Sequence, residues 1–132
     1  MVPIKGCVRS MEKAMNETTC DISDKLHPNV QYLEPVYKNY GAKTSFSGHI
    51  VTVKCYEDNS LVEVALKTNG KDSVLVIDAG GSMNCAMLGD KRATDAIKNE
   101  WEGILVHGLI RDSVAIKGMK IGILALGVCP LK

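Results

Sequence analysis

Two acidic side chains and one arginine stand where they could act together in catalysis. Arg111 and Asp112 follow the apolar run Gly103–Gly108, and Asp90 follows Gly89 at the predicted start of a helix. Carboxylate oxygens are the ligands that Mg²⁺ prefers, and this cation keeps several waters, so one or two carboxylates suffice. A guanidinium binds a carboxylate through two parallel hydrogen bonds, which lysine cannot reproduce. If the three side chains meet, they could hold a divalent cation and a small carboxylic acid.

The residues around Asp90 could also bind an anion through the backbone. Gly89, Asp90, Lys91 and Arg92 begin the predicted helix, where the first N–H groups have no partner within the helix. Such N–H groups, together with the positive end of the helix, form an anion pocket. An Asp at a helix start is also an ordinary N-cap that contributes ~1 kcal/mol. Gly80 and Gly81 could let the backbone approach a ligand, or could form a plain turn.

Histidine and cysteine give weaker indications of a site. His107 lies close to Arg111 on a predicted buried strand, where it could donate a proton, although a hydrogen-bonded core histidine is the favoured interpretation. The five cysteines are scattered without a C-x-x-C pair, and no His/Cys spacing is typical of zinc. Cys85 is predicted to pack rather than to act as a nucleophile, because no paired base is evident. Reduced thiols favour the cytoplasm.

The elements that must position these residues indicate an α/β domain, because buried strands alternate with helices. Strands are predicted at residues 46–56, 73–78, 103–108 and 121–128, and residues 30–37 should be extended or irregular. Helices are predicted at residues 18–26, 61–68, 83–98 with an interruption at Gly89, and 114–116. In such sheets, ligands bind beyond the carboxyl ends of the strands, which is where Ala79–Gly81 and Arg111–Asp112 stand.

Length and charge exclude several classes of protein. A chain of 132 residues is expected to form one domain, with residues 1–18 as an N-terminal extension and residues 19–132 as the domain. A formal net charge of +1 argues against direct contact with nucleic acid. No apolar run approaches the ~18 residues needed to cross a bilayer, and the first residues lack the apolar core of a signal peptide.

Several separate blocks, in order from Thr19 to the end of the chain, resemble one family. This family contains the regulator of ribonuclease activity A (RraA) and the class II 4-hydroxy-4-methyl-2-oxoglutarate aldolases. The matching blocks are Thr19–Asp21, Ala42–Gly48, Thr52–Asn59, Val74–Ser82, Gly89–Asp90, Asn99–Gly103 and Gly108–Asp112. The upstream blocks look most like the regulator branch. The Asp90 and Arg111–Asp112 spacing, with residues 91–110 between, looks like the enzyme branch.

The resemblance implies a fold, an assembly and two alternative functions. The fold would be a swivelling β/β/α three-layer sandwich, RraA-like, assembled as a homotrimer or hexamer. One function is a divalent-metal lyase on small 2-oxo acids: an oxaloacetate decarboxylase and, as an extension, a 4-hydroxy-4-methyl-2-oxoglutarate aldolase. It would release pyruvate through an enolate that Mg²⁺ or Mn²⁺ stabilises. The other is a non-catalytic regulator that binds a ribonuclease of the E type.

The resemblance also assigns roles to residues. Asp112 would bind the metal directly and Asp90 would do so through a water, which makes these two the metal site. Arg111 and Asp90 would be the catalytic residues. The substrate would be bound by Arg111 and by the helix start, Gly89, Asp90, Lys91 and Arg92.

The chain departs from the family pattern in two places. The aldolase pattern has an acidic residue just beyond the Arg–Asp pair, at the position that Ala115 occupies here, so decarboxylation is favoured over aldol cleavage. Family members usually continue for some tens of residues past Cys129–Pro130, so the C-terminal part of the family fold is expected to be absent. Some members are labelled demethylmenaquinone methyltransferases, but no glycine loop typical of S-adenosylmethionine binding follows an early strand.

Overall fold

A computed structural model describes residues 17–132 of the protein. The helices in this part are α1 (Thr19–Leu26), α2 (Ser60–Leu66), α3 (Asp90–Lys98) and α4 (Ser113–Lys117). The strands are β1 (Lys38–Asn39), β2 (His49–Lys54), β3 (Ser73–Asp78), β4 (Ala86–Leu88), β5 (Gly103–Ile110) and β6 (Gly122–Val128). The alternation of strands and helices confirms the predicted α/β class.

The strands form one six-stranded sheet in the order β1-β6-β5-β3-β2, with β4 paired to β5 off this path. Every pairing is parallel except that of β1 with β6. Strand β3 pairs with the first part of β5, from Gly103 to His107, and β4 pairs with its last residues, Leu109 and Ile110. The chain therefore leaves β3 and returns as β4 to the same edge of β5.

Helices pack against one face of this sheet. Val62 and Leu66 of α2, Ala93 and Ala96 of α3, and Ile116 of α4 are buried in one cluster with strand residues that include Leu75, Ile77, Ile104 and Val106. Alternate strand residues point to the other face, where Val74, Leu105 and Leu124 are covered by Leu33, Tyr37 and Phe46 from the irregular segment before β2. Since both faces are covered, β3 and β5 are almost continuously apolar.

Two close contacts hold the covering segment and the strand ends. The Phe46 ring lies across Gly103 and Gly122, where an added Cβ would come within 2.2 and 2.0 Å of ring carbons. Trp101 is buried, and its indole N–H donates to the carbonyl of Thr68 at 3.2 Å. Trp101 therefore anchors the start of β5.

Some predicted elements need correction. The region 83–98 was predicted to be helical with a break at Gly89, but Ala86–Leu88 form strand β4 and the helix begins at Asp90. Three apolar residues are too few for their spacing to distinguish a strand from a helix. Pairing with β5 makes this segment a strand. The strand predicted at 46–56 is shorter, and β1 was not predicted. Residues 1–16 lie outside the described residues. They include Cys7 and most of the expected N-terminal extension.

None of the helices within residues 17–132 is long and apolar enough to cross a membrane.

Candidate active site

Strands β4 and β5 end side by side, and the predicted site residues follow directly from their ends. Leu88, the last residue of β4, is opposite Ile110, the last residue of β5. The backbone N–H of Arg111 then donates to the carbonyl of Leu88 at 2.9 Å. Because the strands are parallel, both leave the sheet at its carboxyl edge. This pairing brings Gly89–Asp90 next to Arg111–Asp112.

The carboxylate of Asp112 joins the two segments. Its Oδ2 accepts a hydrogen bond from the backbone N–H of Asp90 at 3.2 Å and one from Arg111 Nε at 3.4 Å. Asp112 stands at the N-cap position of α4 but makes no side-chain bond to that helix. Its φ of 56° places it in the left-handed region, which Asp tolerates better than most residues. The backbone thus turns the carboxylate towards α3 instead of α4.

The same contacts keep Asp112 ionised. The hydrogen bond from the Asp90 N–H lowers the pKa of the Asp112 carboxyl, and the Arg111 guanidinium acts in the same direction, against the effect of desolvation. A carboxylate that accepts such bonds is favoured in its charged form. Asp112 is therefore a charged oxygen donor at neutral pH, which a metal ligand must be.

Gly89 allows the close approach of Asp112. A Cβ at position 89 would lie 2.7 Å from Asp112 Oδ2 and 3.3 Å from Arg111 Cγ. The backbone of Gly89 is extended, with φ −133°, so its conformation does not call for glycine, and the missing side chain leaves room for the Asp112 carboxylate. Any larger residue would push the carboxylate away from its present position.

These residues line a cleft of about 290 Å³. Six residues to which the family resemblance assigned roles all border it: Gly89, Asp90, Lys91, Arg92, Arg111 and Asp112. The cleft is also bordered by Asn59, Glu63, Ala86, Leu88 and Lys132. Asn59 and Glu63 come from the start of α2 and were missed, because in sequence they are an ordinary turn and helix start.

The cations of the cleft differ in their availability. Arg92 NH1 lies 2.6 Å from Glu63 Oε2, and Arg92 NH2 lies 3.0 Å from Asp95 Oδ2. Lys67 and Arg92 lower the pKa of Glu63 to about 2, so this network is charged at neutral pH. Arg92 is thus neutralised by two carboxylates. Among residues 17–132 no acidic group lies within 4.0 Å of the Lys91 ammonium.

The start of α3 also departs from the expected anion pocket in one respect. The N–H of Asp90 is already bound to Asp112, so it is not available to a ligand. The N-cap residue, Gly89, has no side chain to cap the helix, so the N–H groups of Lys91 and Arg92 are left to bind an anion.

Other candidate residues lie outside the cleft. His107 is hydrogen-bonded to Tyr37, with 2.8 Å between Nδ1 and Oη, and its ring lies against Gly81, as expected of a core histidine. Gly80 and Gly81 have positive φ values and contact Tyr56 and His107, not the cleft. Cys85 is buried, and burial raises the pKa of its thiol, which favours packing over nucleophilic catalysis.

The donor set of the cleft suits a hard divalent cation. Within residues 17–132, no three His, Cys, Asp or Glu side chains converge as a metal-binding group, which disfavours a zinc site built wholly from protein ligands. Two carboxylates, Asp90 and Asp112, border one cleft. Mg²⁺ is commonly held by one or two carboxylates, with waters and substrate completing its shell. The residues present fit such an ion.

Comparison with known proteins finds relatives that are about half identical to this protein and share one name. The protein is 47% identical over 118 residues, 89% of this chain and 74% of the other, to a protein of Aromatoleum aromaticum named "Putative 4-hydroxy-4-methyl-2-oxoglutarate aldolase". It is 50% identical over 114 residues, 86% of this chain and 70% of the other, to a protein of Dechloromonas aromatica with the same name.

Solved structures share the fold. A Thermus protein described as the RNA-processing inhibitor RraA has a TM-score of 0.86 and 39% identity, covering 89% of this chain and 71% of that one. A Geobacillus kaustophilus protein described as an S-adenosylmethionine:2-dimethylmenaquinone methyltransferase has a TM-score of 0.85 and 43% identity, covering 88% and 72%. These similarities confirm the RraA fold that the sequence resemblance implied.

The characteristic pattern of the RraA-like (Aldolase/RraA) family matches residues 19–132, the same part of the chain that carries the β4–β5 cleft. With this match and relatives close to half identical, the protein belongs to the RraA-like family.

Proposed function

We propose that the protein is a divalent-metal-dependent lyase that acts on small 2-oxo acids and releases pyruvate. The observation that carries this proposal is the meeting of Asp90, Arg111 and Asp112 in one cleft, beyond the ends of two parallel strands. The aldolase name borne by relatives at 47–50% identity supports the same class of reaction.

Arg111 would bind the carboxylate of the 2-oxo acid. Its side chain is 37% exposed and borders the cleft, and its Nε makes only a long contact of 3.4 Å with Asp112. The two terminal nitrogens have no carboxylate partner among residues 17–132, so they are available for a bidentate contact. This contact would orient the substrate and place positive charge near the reacting carbon.

Asp112 would hold Mg²⁺ or Mn²⁺, with Asp90 acting through a water. When bound, the cation would supply Lewis-acid stabilisation for the negative charge that develops on the keto oxygen. The chain's own part is to present an ionised Asp112 in a fixed orientation, through the Asp90 N–H and the left-handed backbone.

Oxaloacetate decarboxylation is the proposed main activity, with 4-hydroxy-4-methyl-2-oxoglutarate cleavage as the weaker one. Ala115 is an exposed residue of α4, and its methyl group cannot exchange a proton. Aldol cleavage must remove a proton from the substrate hydroxyl, which calls for a general base. Loss of carbon dioxide needs no base at that position.

The test is pyruvate release from oxaloacetate with Mg²⁺ or Mn²⁺, compared with the protein-free reaction at the same metal concentration and with a chelator. We expect metal-dependent turnover that falls at least about a hundredfold in Asp112→Asn and Arg111→Ala, the magnitude typical of a lost electrostatic contact. Asp72→Asn is the matched control, because Asp72 shares the left-handed conformation, with φ 57°, but lies outside the cleft. Equal rates of pyruvate release for wild type and Asp112→Asn would refute the proposed lyase activity.

A second candidate function is a protein-binding regulator of ribonuclease E-type RNA degradation, without catalysis. Its support is the similarity to the Thermus protein described as an RNA-processing inhibitor. Pull-down with a purified ribonuclease of this type, followed by an RNA cleavage assay, tests it directly. Binding that persists in Asp112→Asn would separate this function from the cleft, whereas no binding at micromolar concentrations would exclude it.

We also propose that the protein assembles as a homotrimer or hexamer, a feature that the family resemblance implies. Light scattering coupled to gel filtration would give the mass directly. A monomer across the micromolar range would contradict this assembly.

A further inference from the structure

We propose that Cys85 and Cys129 form a redox site, in which a hydroperoxide converts the two thiols into a disulfide. The bond would join the segment that follows β6 to the segment that leads into β4. Neither thiol takes part in the proposed lyase reaction, so the redox site does not depend on that function. Hydrogen peroxide is the simplest oxidant of this class.

Two contacts hold the segment after β6 against the segment before β4. The thiol of Cys129 donates to the carbonyl of Asn84, with 3.9 Å between Sγ and the oxygen. The backbone N–H of Ala86 donates to the carbonyl of Leu131 at 2.8 Å. Cys85 lies between Asn84 and Ala86 in the chain. The sulfur of Cys129 is therefore within about 7 Å of Cys85 Cα, which is the length of its contact with Asn84 plus one peptide unit.

This separation suits a disulfide that forms after side-chain rotation. A disulfide joins Cα atoms that are about 4.4–6.8 Å apart, and neighbouring extended segments lie about 5 Å apart. Rotation about χ1 moves each sulfur between staggered positions, so we expect the two thiols to meet while the segments stay paired. Burial raises the pKa of the Cys85 thiol, and the negative charges of Glu57 and Cys129 add to this effect. The influence of Cys129 on Cys85 agrees with a short separation.

The two thiols differ in their access to solvent, and this difference assigns their roles. Cys129 is partly exposed, so its thiolate meets the peroxide first, whereas Cys85 is only 9% exposed. Redox-sensing cysteines are commonly accessible and stand next to a second cysteine that resolves the oxidised one. The Cys129 thiolate attacks one peroxide oxygen, the O–O bond breaks, and a sulfenic acid forms with release of water.

Cys85 then resolves the sulfenic acid. Its sulfur attacks the sulfur of Cys129, an S–S bond forms and the S–O bond breaks. The departing hydroxide takes up the proton of the Cys85 thiol and leaves as water. Two thiols and one hydrogen peroxide thus give one disulfide and two waters. The thiols lose the two electrons that the peroxide gains.

The disulfide would fix one edge of the β4–β5 cleft. Ala86 and Lys132 both border the cleft, and they lie one and three residues from the two cysteines. A covalent link between residues 85 and 129 also restricts the unfolded chain, which stabilises the folded state. We expect the oxidised protein to have a melting temperature about 5–10 °C higher than the reduced one.

The test treats the full reduced chain with a small excess of hydrogen peroxide. After alkylation of the remaining thiols, peptide mass spectrometry should find Cys85 linked to Cys129. The melting temperature should rise and should return to its first value when reductant is added. Cys129→Ser should abolish both the link and the rise. Cys20→Ser is the control, because Cys20 is exposed on α1, and it should change neither.

Cys55→Ser separates the proposed pair from the other thiol near β4. The Cys55 thiol lies 3.9 Å from the sulfur of Met87, a thioether that cannot form a disulfide, so we expect the link between Cys85 and Cys129 to persist in this variant. A bond between Cys55 and Cys85 in the wild type, disulfides only between molecules, or further oxidation of Cys129 with Cys85 still free would each overturn the proposal. The linkage is read by mass, so these outcomes do not depend on whether the protein is a lyase.

Discussion

At the scale of single residues, the position of the Asp112 carboxylate depends on neighbouring groups that take no direct part in the proposed reaction. Its carboxylate is positioned by a backbone N–H, a left-handed φ and the absence of a side chain at Gly89. In metal sites, groups of this kind orient the ligands, and their loss commonly costs 10–100-fold in affinity. The candidate site is therefore more sensitive to its surroundings than its two carboxylates suggest.

Gly89→Ala tests this dependence. A Cβ 2.7 Å from Asp112 Oδ2 must displace the carboxylate, so we expect Mn²⁺ affinity, measured by electron paramagnetic resonance, to fall about tenfold or more. Gly118→Ala is the control, because the nearest atom to its added Cβ is 3.9 Å away and its φ is −89°. Unchanged Mn²⁺ affinity in Gly89→Ala would mean that the cation does not depend on the position of Asp112.

At the scale of elements, strand β4 creates the site. Strand β3 pairs with β5 as far as His107, and β4 pairs with the residues beyond, Leu109 and Ile110. Because β4 ends at Leu88, α3 begins beside the Arg111–Asp112 loop. Helices α2 and α3 are then tied together across the cleft by Glu63 and Arg92. One wall of the cleft is thus formed by ion-paired side chains of α2 and α3, and both helices contribute residues that line the cleft.

Glu63→Gln tests the link between α2 and α3 through its pH dependence. Because the folded pKa of Glu63 lies at about 2, below its ordinary value, the ionised side chain stabilises the folded state above about pH 4.5. That contribution is lost as the pH falls towards 2. Urea unfolding at several pH values should show a less stable variant at pH 7 and a difference that shrinks in acid.

Glu100→Gln is the control for this measurement, since Glu100 is exposed and forms no ion pair within residues 17–132. A stability difference for Glu63→Gln that stays constant from pH 7 to pH 2.5 would show that the ion pairs are not its cause.

At the scale of the whole molecule, the two faces of the sheet are covered differently. Three helices bury one face, while an irregular segment covers the other through Leu33, Tyr37 and Phe46. The Phe46 ring fits only because two neighbouring strands, β5 and β6, both begin with glycine. This contact joins a segment from the first half of the described chain to the centre of the sheet.

Gly122→Ala should destabilise the whole domain without touching the cleft. Its Cβ would come within 2.0 Å of a Phe46 ring carbon, and overpacking of this kind costs about 1–3 kcal/mol. Gly127→Ala in the same strand is the milder control, because its Cβ would meet only the end of the Leu109 side chain at 3.2 Å. The check is the urea midpoint; equal midpoints for the two variants would refute the role of Phe46.

The local pattern of the sequence predicted most of the fold. The apolar runs at 73–78, 103–108 and 121–128 correspond to β3, β5 and β6 within a few residues, because strands buried on both faces must be apolar throughout. The N-terminus of α3 at Asp90 was also predicted, since Gly89 and the acidic first turn are local signals. Strands β1 and β4 were not, because two or three residues carry no periodicity of their own.

The sequence by itself determined which side chains are able to do chemistry, because a carboxylate, a guanidinium and a helix start are properties of single residues and short segments. Only the tertiary structure decided which of them share a cleft. Asn59 and Glu63 enter it, Arg92 is neutralised within its wall, and His107 and Gly80–Gly81 stand apart. The physical reason is that these outcomes depend on the parallel pairing of β4 with β5 and on the packing of α2 on α3, which are contacts between segments distant in the chain.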